Sequence, residues 1–359
     1  MIKFEPRETA SSVMSVVSPV IAGILTLLTG ALLFYVLGEP PGKTLYTFFI
    51  VPISTLYGLS ELTVKATPIL MCAIGLALCY RANVWNIGAE GQLLIGALIG
   101  GYAALTLGNS TSFWALPLTL GIGIFGGLCW ASIPAVLKIY FNTNEILTTI
   151  MLNYVALNLL LFAIHGPLKD PHGYNFPESA LFSDNVLLPT LFDALRMHIG
   201  FFIGIFLIIL LWIGVTKTLV GFQITALGKD DKASHFAGFN KKALTWLVFL
   251  MSGGLAGLAG AIEVTGPIGQ LIPHISPGYG YAAIVVVFLG RLHPVGIFLA
   301  SLLMALLYLG GEMVQIELGL PLALTGLFQG ILLFFLLSCD VLITYRINFV
   351  KKTTDLIDR

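Results

Sequence analysis

Charge is scarce in this sequence. Of 359 residues only 10% are Asp, Glu, Lys or Arg, eighteen basic against eighteen acidic, so the formal net charge is zero and no basic footprint for nucleic acid exists. Cysteine is equally sparse. Cys72, Cys79, Cys129 and Cys339 fall in or beside apolar runs without CxxC or Cys/His spacing, and read as small apolar packing residues rather than metal ligands or disulfide partners. The six histidines, His165, His172, His198, His235, His274 and His293, include no HxxxH or HExxH pair, which argues against a membrane metalloenzyme. A nucleotide site is also missing: in Gly38-Glu-Pro-Pro-Gly42-Lys43-Thr44 the first glycine of a Walker A motif would fall on Leu37. The GxGxxG spacing of Gly121, Gly123 and Gly126 lies inside an apolar run with no strand before it, and reads as helix packing.

Apolar surface, by contrast, is abundant. At 57% hydrophobic residues the chain exceeds what an ordinary water-soluble core accommodates, and it requires lipid. A bilayer core of about 30 Å takes roughly 20 apolar residues per helix. Such runs lie near 13–37, 64–80, 87–107, 113–137, 146–164, 199–216, 243–263, 292–311 and 321–344, with a shorter one at 281–290. The expected fold is therefore an all-α polytopic membrane protein with about ten transmembrane elements, one or two of them short or broken. The run at 13–37 follows Lys3 and Arg7 and is too long for a signal-peptide core, so it is expected to remain as a first helix.

Placing the N-terminus in the cytoplasm puts Lys3, Arg7, Arg81, Lys138, Lys217, Lys229, Lys232, Lys241, Lys242, Arg291, Arg346, Lys351, Lys352 and Arg359 inside, and Lys43, Lys65, Lys169 and Arg196 outside. That split of 14 to 4 is the positive-inside bias, and it predicts that both termini are cytoplasmic. The segment 165–198 then forms a large outer loop. The inner loop 217–242, with five lysines and two aspartates, contains a helix-compatible stretch from Asp230 to Gly238 that reads either as a solvated loop or as a surface helix gripping another protein. Three segments are expected: an N-terminal helix and connector over 1–63, a transmembrane domain over 64–344, and a cytoplasmic tail over 345–359. Within the domain the halves are 64–164 and 243–344.

Two stretches break the apolar pattern. Asn83-Val-Trp-Asn-Ile-Gly-Ala-Glu-Gly-Gln92 sets polar groups and glycines at the start of a run, and Gly266 to Tyr281 is rich in Gly and Pro before the next. Irregular backbone at membrane depth survives only when buried in protein or lining a cavity. Glu90 is accordingly either a functional carboxylate or a cap on a half-helix. Broken elements in two oppositely oriented halves point to an inverted repeat with a pathway at its interface. Asn144 and Glu145 read as a helix cap, and Glu312, Gln315 and Glu317 as an outer turn.

Asn86-Ile-Gly-Ala-Glu-Gly-Gln-Leu-Leu-Ile-Gly-Ala97 resembles the signature of ABC-importer permeases for nucleosides and simple sugars, a superfamily shared with ribose and branched-chain amino acid permeases. Asn144-Glu-Ile-Leu-Thr-Thr-Ile-Met-Leu-Asn153-Tyr, Ser252 to Gly260 and Ser276 to Gly290 resemble further family segments in the same order. Ala226-Leu-Gly228, Ala233 and Ala237-Gly238 are similar to the family's coupling helix, although Lys229-Asp230-Asp231-Lys232 and Phe239 depart from its usual wording. The resemblance implies a multi-pass permease of the bacterial cytoplasmic membrane that is not itself an enzyme and binds no cofactor. Its implied partners are a cytoplasmic ATPase carrying ATP and Mg, a second permease of the same or a related chain, and an external substrate-binding protein. The implied pathway residues are Asn86, Glu90, Gln92, Asn153, Tyr154, Glu263, Gln270 and Tyr279, which offer a neutral nucleoside amides, hydroxyls and aromatic faces. Each reads equally as an interhelical hydrogen bond. Gly228, Asp230, Ala233, Ala237 and Gly238 are the implied ATPase-docking residues. Alternatives are a ribose-like sugar as substrate, or an ion-coupled secondary transporter, which would not need 217–242 as a docking element.

Overall fold

The structure, a computed structural model, describes residues 2–7, 12–108, 112–173, 175–192 and 194–349. Among these residues the fold is all-α apart from one two-stranded antiparallel ladder. Its thirteen helices are α1 (Ser12–Val36), α2 (Pro41–Phe49), α3 (Leu56–Arg81), α4 (Ala89–Leu107), α5 (Ala115–Phe141), α6 (Glu145–His165), α7 (Gly200–Lys217), α8 (Leu219–Lys229), α9 (Asp231–Phe236), α10 (Lys241–Glu263), α11 (Tyr279–Leu289), α12 (Pro294–Leu318) and α13 (Ala323–Thr344). Eight are long and apolar enough to cross a membrane, and α11 and the stretch Ala323–Cys339 of α13 are shorter apolar segments. These ten are the elements expected from hydropathy, in order, and the protein is a multi-pass membrane protein.

Helix ends differ from expectation where polar residues hid them. α3 begins at Leu56 rather than near 64, because Thr55 accepts a hydrogen bond from the Gly58 amide at 3.0 Å, while Glu61 and Lys65 dilute its first turns. α12 continues to Leu318, so Glu312, Gln315 and Glu317 lie on a helix and not in a turn. α2 was hidden by its Pro and Gly start; proline is compatible with a first helical turn. Lys351, Lys352 and Arg359 lie outside the described residues. Residues Tyr345–Phe349 of the expected tail form strand β2, paired with β1 (Ile2–Pro6).

The chain divides into two compact units, Met1–Val51 with Gly310–Arg359, and Pro52–Leu309. In the first of these the last helix packs on the first, α13 on α1. In that terminal unit the rings of Phe34, Phe48 and Phe328 form the core, Phe48 stacking on Phe328 with centroids 4.9 Å apart. The Thr47 hydroxyl donates to the Glu317 carboxylate at 3.2 Å.

In the unit Pro52–Leu309, α3 and α10 are central and largely buried, whereas α6 and α7 are largely exposed. α10 packs on α3, α4 and α5 through small residues. A Cβ on Gly96 of α4 would lie 2.2 Å from the Gly257 Cα of α10, so the two backbones touch. A Cβ on Gly123 would lie 2.5 Å from the Ala261 Cβ and one on Gly126 3.1 Å from the Ile99 side chain, whereas Gly121 faces open space. Cys72 and Cys79 are buried here as expected, but Cys129 is exposed and lines an apolar groove with Tyr102, Ile133 and Phe162.

Candidate functional site

α3 stops at Arg81, Asn83 turns left-handed at φ 56°, and α4 starts at Ala89. The backbone between them is irregular, and its polar groups need partners. They find them on two other helices. Thr149 of α6 accepts from the Ile87 amide at 3.2 Å, and the Asn153 amide donates to the Ile87 carbonyl at 2.9 Å while its Oδ1 accepts from the Gly91 amide at 2.9 Å. The Asn86 side chain donates to Ser252 of α10 at 3.0 Å and to Gln92 at 3.3 Å, and its Oδ1 accepts from the Gly88 amide at 2.8 Å.

The second break follows α10. A π-turn over Val264–Ile268, containing Pro267, leads through irregular backbone to α11, where Ser276 Oγ caps the amides of Gly278 and Tyr279 at 3.1 and 2.9 Å. A π-turn of this kind often marks a functional position. The two breaks are joined: Glu90 Oε2 accepts from the Gly280 amide at 2.7 Å, and the Asn153 amide donates to the Tyr281 hydroxyl at 3.1 Å. A Cβ on Gly280 would lie 2.3 Å from the Glu90 amide nitrogen, so only glycine permits this approach. Glu90 therefore caps a half-helix as one reading had it, but the helix it caps is α11, across the interface from its own.

Asn86, Glu90, Gln92 and Asn153 thus form one network, each buried to 6% exposure or less. It meets the surface at Tyr281, which is 42% exposed, and Tyr154 stands beside Asn153 on the exposed face of α6. Glu263 and Gln270 make their described contacts elsewhere. The Tyr279 ring is buried edge-on against Tyr308, and Gln270 donates to Glu178 at 3.2 Å. Glu263 ends α10 among Lys65, Arg196 and Glu61, its Oε2 buried without a hydrogen-bond partner among the described residues.

Around Glu263 the large loop folds onto the π-turn. The Leu188 amide donates to the Thr265 carbonyl at 2.9 Å and the Phe182 amide to the Gly269 carbonyl at 2.8 Å. Arg196 bonds the Glu61 carboxylate at 3.2 Å and the Pro267 carbonyl at 2.9 Å. His198, in this loop, is buried, and burial, aided by the charge of Arg196, lowers its pKa to about 4.

At the opposite end of this unit, 217–242 forms α8 and α9. Asp230 caps α9, accepting from the amides of Lys232 and Ala233 at 2.8 and 3.2 Å, and Lys241 pairs with Asp231 at 2.5 Å. Ala233, Ala237 and Gly238 are exposed, whereas Gly228 is packed against the end of α3. Phe239, unusual by family wording, packs on the apolar cluster around Cys79 and Val248. Asn144 caps α6, accepting from the amides of Ile146 and Leu147 at 2.9 and 3.3 Å.

The sequence reading passed over Ser252, Thr149 and Tyr281 as members of the network, and Phe236 on α9. Ser252, Thr149 and Tyr281 stood inside the quoted motifs, and Phe236 lay between Ala233 and Ala237 of the docking stretch. Phe236 is 90% exposed, an aromatic ring presented to solvent within a charged segment.

The model of a family described as branched-chain amino acid transport system / permease component matches residues 58–337. A glucose ABC transporter permease, TsgB13 of Haloferax volcanii, is 32% identical over 97% of this chain and 93% of its own length. The guanosine ABC transporter permease NupP of Bacillus subtilis is 30% identical over 92% of this chain and 94% of its own. The nucleoside ABC transporter permease NupB of Lactococcus lactis is 29% identical, covering 89% and 90%. With the family model spanning both broken helices, the network they share and the α8–α9 segment, this chain belongs to the branched-chain amino acid transport system / permease component family, as an ABC transporter permease.

Proposed function

We propose that this chain forms the membrane pathway of an importer that brings nucleosides across the cytoplasmic membrane, driven by a separate ATPase. The observation that carries the reading is the hydrogen bond from Gly280 to Glu90, which ties the two broken helices at a buried network of neutral amides and hydroxyls. Such groups suit a neutral, hydrogen-bonding solute, and the exposed tyrosines Tyr154 and Tyr281 suit a flat base. Glu90 already accepts a backbone donor, so it serves to hold the breaks together rather than to carry an ion. The guanosine and nucleoside permeases among the relatives support this substrate class.

In this reading the exposed face of α6 with Tyr154 lines a path completed by a second permease, of the same or a related chain. Both termini lie in the cytoplasm, where β1 and β2 pair. α8 and α9 dock on the ATPase, which binds ATP and Mg, with Ala233, Ala237, Gly238 and the exposed Phe236 as contacts. ATP binding shifts the population between outward- and inward-facing states through differential contacts, with no chemistry on the solute. An external binding protein delivers the substrate to the side of the 165–198 loop. The two halves, 64–164 and 243–344, act as inverted repeats around the joined breaks.

A neutral sugar is the second reading, favoured by the glucose permease that aligns along nearly the whole chain. The test is uptake of a labelled nucleoside, with and without excess ribose or glucose, in cells lacking the chain and in complemented cells, with the proton gradient collapsed while ATP is maintained. Chain-dependent uptake that survives collapse and ignores both sugars is expected. Competition by a sugar moves the substrate to the second reading, and loss on collapse overturns ATP drive in favour of ion coupling.

A further inference from the structure

Arg81 lies where three structural elements meet. It is the last residue of α3, immediately before the first break. The docking segment rests on it directly: a Cβ on Gly228, near the end of α8, would lie 1.8 Å from the Arg81 carbonyl oxygen and 3.2 Å from the Asn83 amide nitrogen. Ile224 and Leu227 of α8 share one buried apolar cluster with Cys79, Ala82 and Val84 on either side of it. Displacement of α8 therefore displaces the end of α3, because no side chain separates the two backbones.

On its other side, the Arg81 guanidinium donates through Nη2 to the Leu292 carbonyl. Leu292 belongs to the tight turn between α11 and α12, where Arg291 and Leu292 are both left-handed, at φ 52° and 58°. A left-handed conformation is uncommon for any residue but glycine, and two in succession, one a bulky leucine, form an outlier that surrounding contacts must hold in place. Arg81 Nε is buried without a hydrogen-bond partner among the described residues, so the guanidinium holds the turn through part of its donor set.

The far end of α11 is the network itself. Its first residues supply the Gly280 amide to Glu90 and the Tyr281 hydroxyl to Asn153. A contiguous set of contacts thus runs from α8 to Arg81, through the strained turn and along α11, to the joined breaks. Beside it a cavity of about 310 Å³, lined by Asn83, Trp85, Lys138, Glu145, Asp231 and Lys241, leaves room for α9 and the end of α3 to shift.

We propose that Arg81 is the positioning residue that links ATPase docking to the pathway: it holds the Arg291–Leu292 turn, and movement of α8 withdraws that hold, letting α11 and the Glu90–Gly280 contact rearrange. This inference rests on the ATP-driven reading of the chain. Coupling requires an element with two arrangements, and the second, relaxed one is assigned by this proposal to the Arg291–Leu292 turn.

The test is made on the assembled complex with its ATPase in proteoliposomes, reading labelled nucleoside transported per ATP hydrolysed. Arg81→Ala is expected to lower that ratio by roughly tenfold while hydrolysis continues, in keeping with the size of mutational effects on coupling networks. Arg81→Lys, a point charge without the planar fork, gives an intermediate ratio and serves where the alanine variant does not assemble. Leu292→Gly in the Arg81→Ala background separates coupling from mere support, because glycine holds the left-handed turn without a clamp. The double variant is expected to regain thermal stability but not the ratio. A ratio unchanged in Arg81→Ala, a ratio restored by Leu292→Gly, or transport and hydrolysis falling in step in an intact complex would each overturn the proposal. A wild-type complex that transports without ATP would instead refute the reading on which it rests.

Discussion

At Gly30 of the terminal unit, glycine makes room for a ring: a Cβ there would lie 2.4 Å from the Phe328 ring, which stacks with Phe48 and faces Phe34. In the unit Pro52–Leu309, glycine makes room for backbone, as where Gly96 meets Gly257, and the buried side chains between helices include Asn86, Glu90, Gln92, Asn153 and Ser252. The first arrangement buries large apolar area and leaves continuous helices continuous. The second brings backbones close enough for the broken segments to satisfy their amides on neighbouring helices, which hydrocarbon otherwise forbids. Close small-residue packing is thus what permits the two breaks, and among the described residues the aromatic unit has no such breaks to support.

The sharpest way to break this contrast is to place a side chain where backbones touch. Gly257→Leu is expected to cost about 3 kcal/mol or more, since the obstructing atoms are backbone and cannot rotate away. Folded protein recovered in detergent should fall to a small fraction of wild type; normal recovery and melting would contradict the packing described.

A change at the docking end should act without touching the fold. Phe236→Asp replaces an exposed ring, so the permease should melt as wild type, while affinity for the ATPase subunit falls by about 2 kcal/mol, the size expected of an aromatic anchor. Undiminished binding in a pull-down titration would remove Phe236 from the contact surface.

The large loop offers a smaller, pH-dependent effect. His198 is buried neutral, with its pKa lowered to about 4 against an ordinary value of about 6.5. The unfolded loop binds the proton more readily, so the stability His198 contributes is present above about pH 6.5 and is lost as pH falls toward 4. After correction for the intrinsic pH dependence of exchange, amide protection at Leu188 and Ile199 should fall over that window, and His198→Gln should flatten the change.

Much of the architecture was legible because lipid imposes one rule, a long apolar helix, and each expected run became a helix, the run at 281–290 a short one. The misses arose where that rule was diluted. Glu61 and Lys65 hid the start of α3, and the Pro-Gly start of α2 read as a connector although proline fits a first turn. For the candidate site, the first break could be read from its density of polar residues, and Asn86, Glu90, Gln92 and Asn153 came together as grouped. Glu263 and Gln270 shared their residue types but not their place, which chain order cannot reveal: the loop over 165–198 binds the second break at one end of the unit, and only its far end, at Gly280, reaches the network. Arg81 carried no signal beyond a basic residue at a helix end, since its partner Leu292 is remote in sequence.

The central claim, that the joined breaks carry transport while the aromatic core of the terminal unit acts on stability alone, is tested most directly by comparing Glu90→Ala with Phe48→Ala in proteoliposomes, as ATP-driven nucleoside uptake per folded complex. Glu90→Ala leaves the buried Gly280 amide unpaired, a cost of about 1–3 kcal/mol placed at the junction, and uptake is predicted to fall about tenfold or more. Phe48→Ala is predicted to cost about 3–5 kcal/mol of stability yet leave uptake per folded complex near wild type. Uptake preserved in Glu90→Ala and lost in Phe48→Ala would contradict the account.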